Sequence, residues 1–289
     1  MTTTRSCTGS LACLALALAS VAAAHATTYE WDFTSGNLNA DLGPGTMTYA
    51  GATAGYTTFG TTDGSTVPHI AGSPASYMSF PQWPTSAAND PTLGYLLNFA
   101  ASGPNGGGSY INQYTFILDV LIPGPLDWTP FFNTDPGNGS GNDADWYLAS
   151  DGSLGIGALG YTATGLIQPS TWYRIGFTAD LGAGDVRYYV NGTRVFTRTG
   201  GSLLDGRFSL YSNADSGPDL LLANENDTSG NYTHAQIYSA VAFVDQTLSD
   251  AQFAALGGPS ATGIYVVPEP GTLALLGLGG LVFLLRRRS

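Results

Sequence analysis

Two residues near the middle of the chain, Asn191-Gly192, do most to limit what it can fold into. They separate two short runs, Val186-Arg187-Tyr188-Tyr189-Val190 and Thr193-Arg194-Val195-Phe196. An Asn-Gly pair supplies the positive φ angles of a tight type I′ turn, so the runs read as the arms of a β-hairpin. The flanking sequence reads the same way. Residues 114–122 alternate, with Tyr114, Phe116, Leu118 and Val120 on one face, and residues 171–180 place Tyr173, Ile175 and Phe177 together. Residues 206–212, 219–224 and 235–244 read as further strands. Gly and Pro are abundant, and clusters of Asn, Asp, Ser and Thr separate the runs as turns would. The expectation is an all-β fold.

One helix is expected near the end of this region. Ser249 is placed to cap it, Gln252 stands at the capping-box position, and Gly257 supplies a left-handed stop. Phe253 and Leu256 would face the sheets. Trp172, Tyr188 and Phe196 read as packing residues rather than a ligand platform.

Both ends of the chain look specialised. Residues 1–26 carry Arg5, an apolar stretch from Leu11 to Ala24, and Ala24-His25-Ala26, the pattern of a secretory signal peptide with its cleavage site. Both cysteines, Cys7 and Cys13, lie inside it, so the remaining domain has neither a disulfide nor a thiolate metal ligand. Its stability must come from its core, and a chain of roughly 240 residues can bury one. There is no lysine, and four of the nine arginines, Arg5 and Arg286 to Arg288, belong to the ends. Of the 21 acids only Glu269 does, so the domain carries 20 acids against five arginines, a net of −15. Such a surface repels nucleic acid and anionic lipid, and it is compatible with calcium or a neutral polysaccharide.

Residues 170–195, Ser-Thr-Trp-Tyr-Arg-Ile-Gly-Phe through Tyr-Tyr-Val-Asn-Gly-Thr-Arg-Val, resemble the central hairpin of laminin-G-like, concanavalin A-like jelly-roll domains. Residues 241–258 resemble the closing strand and short helix of the same modules. Weaker likeness extends to Tyr29–Phe33 and to residues 112–123. The resemblance implies a two-sheet antiparallel jelly-roll sandwich over residues 27–265, in which alternating side chains fill the space between the sheets.

Catalytic signatures are sparse. Glucanases of this fold use two carboxylates, commonly in a Glu-x-Asp-x-Glu strand, and glycoside hydrolysis needs such a pair across the scissile bond. The domain has only Glu30 and Glu225, neither in that motif. No Gly-x-Ser-x-Gly, His-Glu-x-x-His or phosphate-binding glycine loop occurs. His69 and His234 are isolated, and Gly103–Tyr110 reads as a flexible turn. The best candidate for a bound ion is the run 133–146, which gathers Asp135, Asn138, Asn142, Asp143 and Asp145. Calcium favours six to eight oxygen ligands of these kinds, and the laminin-G resemblance implies a calcium at one rim of the sandwich. The spacing is not that of an EF-hand.

The C-terminus brings together Pro268-Glu269-Pro270, an apolar run from Gly271 to Leu285, and Arg286-Arg287-Arg288. Fifteen helical residues span about 22 Å, short of a ~30 Å hydrocarbon core, and the prolines stop the helix from extending backward. The arginines belong on the cytoplasmic side. The trio resembles a bacterial PEP-CTERM sorting signal over residues 266–289. That resemblance implies a short transmembrane sorting helix, recognised by an exosortase and removed near the Pro-Glu-Pro. The host would be a Gram-negative bacterium that makes exopolysaccharide. The chain is thus expected to be exported across the inner membrane, anchored transiently, and released to the cell surface or matrix. There its sandwich would bind polysaccharide or a surface protein. The alternatives are a polysaccharide-acting enzyme of the same fold and a purely structural matrix protein.

Overall fold

The computed structural model describes residues 26–83, 93–99, 102–135, 144–210, 219–225 and 234–264. All belong to a compact unit, Ala26–Pro268, and a second unit formed by Met1–His25 and Glu269–Ser289 lies outside the described residues. In chain order the strands are β1 (Thr28–Trp31), β2 (Thr46–Tyr49), β3 (Thr58–Thr61), β4 (Ser76–Phe80), β5 (Tyr95–Asn98), β6 (Gln113–Leu121), β7 (Thr129–Asn133) and β8 (Asp145–Leu148). There follow β9 (Leu154–Ile156), β10 (Gly160–Tyr161), β11 (Trp172–Asp180), β12 (Asp185–Val190), β13 (Thr193–Arg198), β14 (Asp219–Leu222) and β15 (Gln236–Val244), then helix α1 (Asp250–Leu256). The strands form a two-sheet antiparallel sandwich. The first sheet runs β13-β12-β11-β6-β15-β4-β3, with β1 also on β15, and the second runs β10-β9-β8-β7-β14-β5-β2.

The Asn-Gly hairpin is present. Asn191 and Gly192 have φ of +49° and +81°, and Val190 pairs with Thr193 across the turn. A register shift between Tyr188 and Tyr189 adds one residue to the β13 side, so Tyr188 faces Phe196 while Tyr189 faces Arg194. Tyr188 therefore stacks on Phe196 at 4.5 Å inside the sandwich, and Tyr189 turns to the outer face. The alternation expected for β6 and β11 holds. Tyr114, Phe116, Leu118, Val120, Ile175 and Phe177 all enter the main core, with Tyr173 at its margin. Facing residues of the second sheet interdigitate with them: Phe132 lies 5.2 Å and Trp146 5.6 Å from Phe177. Each such fully buried side chain contributes about 1.5–3 kcal/mol of transfer free energy.

The outer face of the first sheet is covered. Ser249 and Gln252 form the expected capping box, and Gly257 has a positive φ of +63° with ψ of −144°, outside the left-handed helical region. Phe253 drops from α1 onto Gly176, where a Cβ would stand 2.3 Å from its ring, and stacks on Tyr189 at 3.7 Å. The chain beyond α1 is tied down by charge. Arg174 and Asp119, directly opposite across β11 and β6, form a buried bidentate ion pair with both contacts at 2.7 Å. Arg174 also donates to the Leu256 and Gly263 carbonyls, Asp119 accepts from the Ser260 N–H, and Glu30 accepts from the Ile264 N–H. Farther along the same face, Trp172 donates to the Pro68 carbonyl at 2.7 Å and packs with Val67 and Ile70.

Two local expectations change. Residues 206–210 form a turn closed by the Ser209 N–H on the Gly206 carbonyl, with Leu210 making only an isolated bridge to Ile111. Residues 211 and 212 lie outside the described residues. The glycine-rich stretch at 103–110 is tied rather than loose: the Asp205 carboxylate accepts from the Ser109 N–H and from Asn112 Nδ2, and Asn105 donates to the Gln113 and Asp245 carbonyls.

Candidate functional site

The outer face of the second sheet follows from strand alternation. In β8, Trp146 and Leu148 point into the core, so Asp145 and Tyr147 point out. In β9, Leu154 and Ile156 point in and Gly155 points out. Register then sets Tyr147, Gly155 and Tyr161 in one row across β8, β9 and β10. Gly155 makes room for its neighbour, since a Cβ there would stand 2.6 Å from Tyr161 Cδ1. Trp128, just ahead of β7, meets both tyrosines edge-on, with ring centroids 6.1 Å from Tyr147 and 6.0 Å from Tyr161. Trp128 is 37% and Tyr161 36% exposed, although the four other tryptophans are all buried.

Carboxylates border these rings. The Tyr147 hydroxyl donates to Glu225, which is itself buried just beyond β14, and Asn133 Nδ2 donates to the Glu225 carbonyl. Burial pushes the Tyr161 hydroxyl up, and the negative charges of Asp145 and Asp151 add to the shift. Asp151 is held below the usual carboxylate range by the Ser153 hydroxyl and N–H, which hydrogen-bond to it. Asp127 accepts from the Trp128 N–H at 2.8 Å and lies 3.3 Å from His234 Nε2.

Two members of the calcium set fall at the base of the β7–β8 hairpin. Asp145 pairs in register with Asn133, and Asp135, two residues past Asn133, donates its N–H to the Asn133 side chain. Both carboxylates are buried. Asn138, Asn142 and Asp143 lie outside the described residues. Among the described residues, no group of three or more His, Cys, Asp and Glu is arranged to hold a metal. The two glutamates of the domain do not converge. Glu30 lies on the outer face of the first sheet, bound to the Ile264 N–H, and Glu225 on the outer face of the second.

The sequence reading did not single out Trp128, Tyr147 or Tyr161. The available signal was Trp128 inside Pro-Gly-Pro-Leu-Asp-Trp, a large aromatic beside an acid in a stretch of turn residues. Pairing Tyr147 with Tyr161 required the register.

The C-terminal expectation is met by comparison with protein families. Residues 266–288 match the PEP-CTERM protein-sorting motif. The PEP-CTERM match contains Pro268, Glu269, Pro270 and Arg286 to Arg288, and it implies an exported protein processed by an exosortase. The PEP-CTERM residues lie outside the described residues, and no helix among the described residues is long and apolar enough to cross a membrane. Comparison with curated proteins gave no match. Among solved structures, the chain is similar to domain 4 of an extracellular GH43 arabinanase from Geobacillus stearothermophilus, solved with arabinotriose. Identity is 19% and TM-score 0.44, over 80% of this chain and 98% of that one. It is also similar to a Trypanosoma rangeli sialidase solved with sialic acid, at 14% identity and TM-score 0.42, covering 62% of this chain and 27% of that one. A third is the CBM40 of a Ruminococcus gnavus IT-sialidase, bound to α2,3 sialyllactose. There the identity is 12% and the TM-score 0.39, over 51% of this chain and 83% of that one.

Proposed function

We propose that the protein is exported by an N-terminal signal peptide, held briefly by its C-terminal tail, and cut near Pro268–Pro270. Its sandwich then serves at the cell surface or in the matrix as a polysaccharide-binding module rather than an enzyme. The observation that carries the binding reading is Trp128, left exposed between Tyr147 and Tyr161 on a sheet whose other face is fully packed. An exposed aromatic patch with a polar rim marks an interaction site. The ring faces suit the C–H faces of a sugar, and the carboxylates accept its hydroxyl protons in charge-assisted hydrogen bonds.

Calcium would act at the hairpin base through Asp135 and Asp145, joined by Asn138, Asn142 and Asp143. Neutralising those carboxylates would fasten the connection between β7 and β8.

A glycan array probed with the domain, with calcium and with chelator, tests the reading. Binding to polysaccharide ligands is expected, and binding to none of them contradicts it. Reducing-sugar release from a bound glycan would favour an enzyme instead. Intact-mass analysis of the protein from its native host should show a C-terminus near Val267 to Glu269. A mass retaining Arg286 to Arg288 contradicts the sorting account.

A further inference from the structure

The electrostatic setting of the aromatic face narrows the ligand, given the polysaccharide-binding reading above. Four carboxylates border the three rings. Glu225 is reached by the Tyr147 hydroxyl, the charges of Asp145 and Asp151 act on Tyr161, and Asp127 accepts from the backbone N–H of Trp128. Asp127 and Asp151 are exposed, so a ligand can touch them, while Asp145 and Glu225 are buried. Part of the Asp127 charge is offset by His234. The chain has no lysine. Arg174, Arg187 and Arg194 are engaged by Asp119, Asp185 and Asp250, and Arg198 donates to the Gly184 and Gly201 carbonyls.

An anionic sugar chain would have to approach these carboxylates against their field, within a domain of net charge −15. A protonated amine gains twice, from the carboxylates and from the face of an exposed indole. We propose that the outer face of the second sheet binds a polysaccharide carrying free amino groups, with a pyranose ring on Trp128 and ammonium groups at Asp127 and Asp151. The partner chemistry is that of a partly or fully deacetylated amino-sugar polymer.

Isothermal titration of the domain at pH 6 tests this with four hexasaccharides: β-1,4-glucosamine, its N-acetylated counterpart, cellohexaose and hexagalacturonate. The glucosamine hexamer should bind at least tenfold tighter than the other three. Trp128→Ala should abolish that binding, and Asp151→Asn and Asp127→Asn should each weaken it severalfold with near-ultraviolet circular dichroism unchanged. Equal or tighter binding of a neutral, acetylated or acidic hexamer overturns the amine preference and leaves the polysaccharide reading intact. An amine preference that survives Trp128→Ala belongs to the acidic surface at large and also overturns the proposal. Binding of none of the four, together with a blank glycan array, removes the polysaccharide reading itself.

Discussion

The outer face of the first sheet is closed by α1 and residues 257–264, whereas the outer face of the second presents Trp128 and Tyr161 to solvent. Both faces carry aromatic and charged residues, and they use them in opposite ways. On the first, Tyr189 lies flat under Phe253, and Arg174 is buried against Asp119 with its remaining donors on backbone carbonyls. On the second, the aromatic rings meet edge-on, Trp128 and Tyr161 remain partly open, and the Tyr147 hydroxyl donates to Glu225. The contrast teaches that residue type alone does not mark a site. Trp172 and Trp128 are both tryptophans at strand starts, yet Trp172 is sealed by its bond to Pro68 and Trp128 is left exposed.

The largest expected effect breaks the closed face. Arg174→Ala leaves Asp119 charged and buried without its partner and frees the Leu256 and Gly263 carbonyls. It should cost about 3–5 kcal/mol of stability in urea denaturation. A loss near zero would mean that the ion pair is not what fastens this segment.

Next comes the turn beneath the helix. Gly192→Val forces a β-branched residue to a φ of +81° and places its Cβ 2.8 Å from the Phe253 carbonyl oxygen. The expected loss is about 1–3 kcal/mol, and an unchanged urea midpoint would contradict the turn and the docking of α1 together.

A smaller effect is read from pH. Burial raises the Glu30 carboxyl to about 7, against a bond from the Ile264 N–H that lowers it. Because the folded-state pKa is raised, the folded protein holds this proton more tightly than the unfolded chain does. The contribution is complete below the unfolded value, near 4.5, and is lost as pH rises through about 7. Stability should therefore fall between pH 5 and pH 7.5, and Glu30→Gln should flatten that slope. A slope of the same size in the variant would assign the pH dependence to other groups. Asp119 and Asp41 shift in the same direction by burial, so both contribute to the residual slope in Glu30→Gln.

On the open face stability should scarcely respond. Trp128→Ala removes a ring that is already 37% exposed, and a loss well under that of Arg174→Ala is expected. Calcium sharpens the same comparison. If Asp135 and Asp145 contribute to an ion site, calcium stabilises the folded state by roughly 2.7 kcal/mol at a hundredfold excess over the dissociation constant, and the melting temperature rises. Asp145→Ala blunts the rise. An unchanged melting temperature counts against the site.

Much of the first sheet was legible in the sequence because β6, β11 and β15 are nine residues long and β12 and β13 are joined by Asn-Gly. Long strands repeat their alternation often enough to be seen. The second sheet was not, apart from β14. Its strands run from two to five residues, and β7 and β8 are buried at every position, which erases the period of two. The Asp119–Arg174 pair escaped for another reason: its members are 55 residues apart and meet only through register. The same holds for the candidate site. Tyr147 and Tyr161 become neighbours through Gly155, and Glu225 reaches Tyr147 from 78 residues away. Of the five residues that sequence grouped at 135–145, Asp135 stands just past the end of β7 and Asp145 at the start of β8, strands that pair with each other, so their proximity in sequence is a local matter.

The contrast between the faces is tested most directly by probing one glycan array with three proteins: the wild-type domain, Trp128→Ala on the open face, and Arg194→Ala on the closed one. Arg194 is exposed and paired only with Asp250, so its loss leaves the fold standing. Arg194→Ala should keep the wild-type pattern, and Trp128→Ala should lose it while melting at nearly the same temperature. Retention of binding by Trp128→Ala, or its loss in Arg194→Ala, would place recognition elsewhere and contradict the assignment of the second sheet as the binding face.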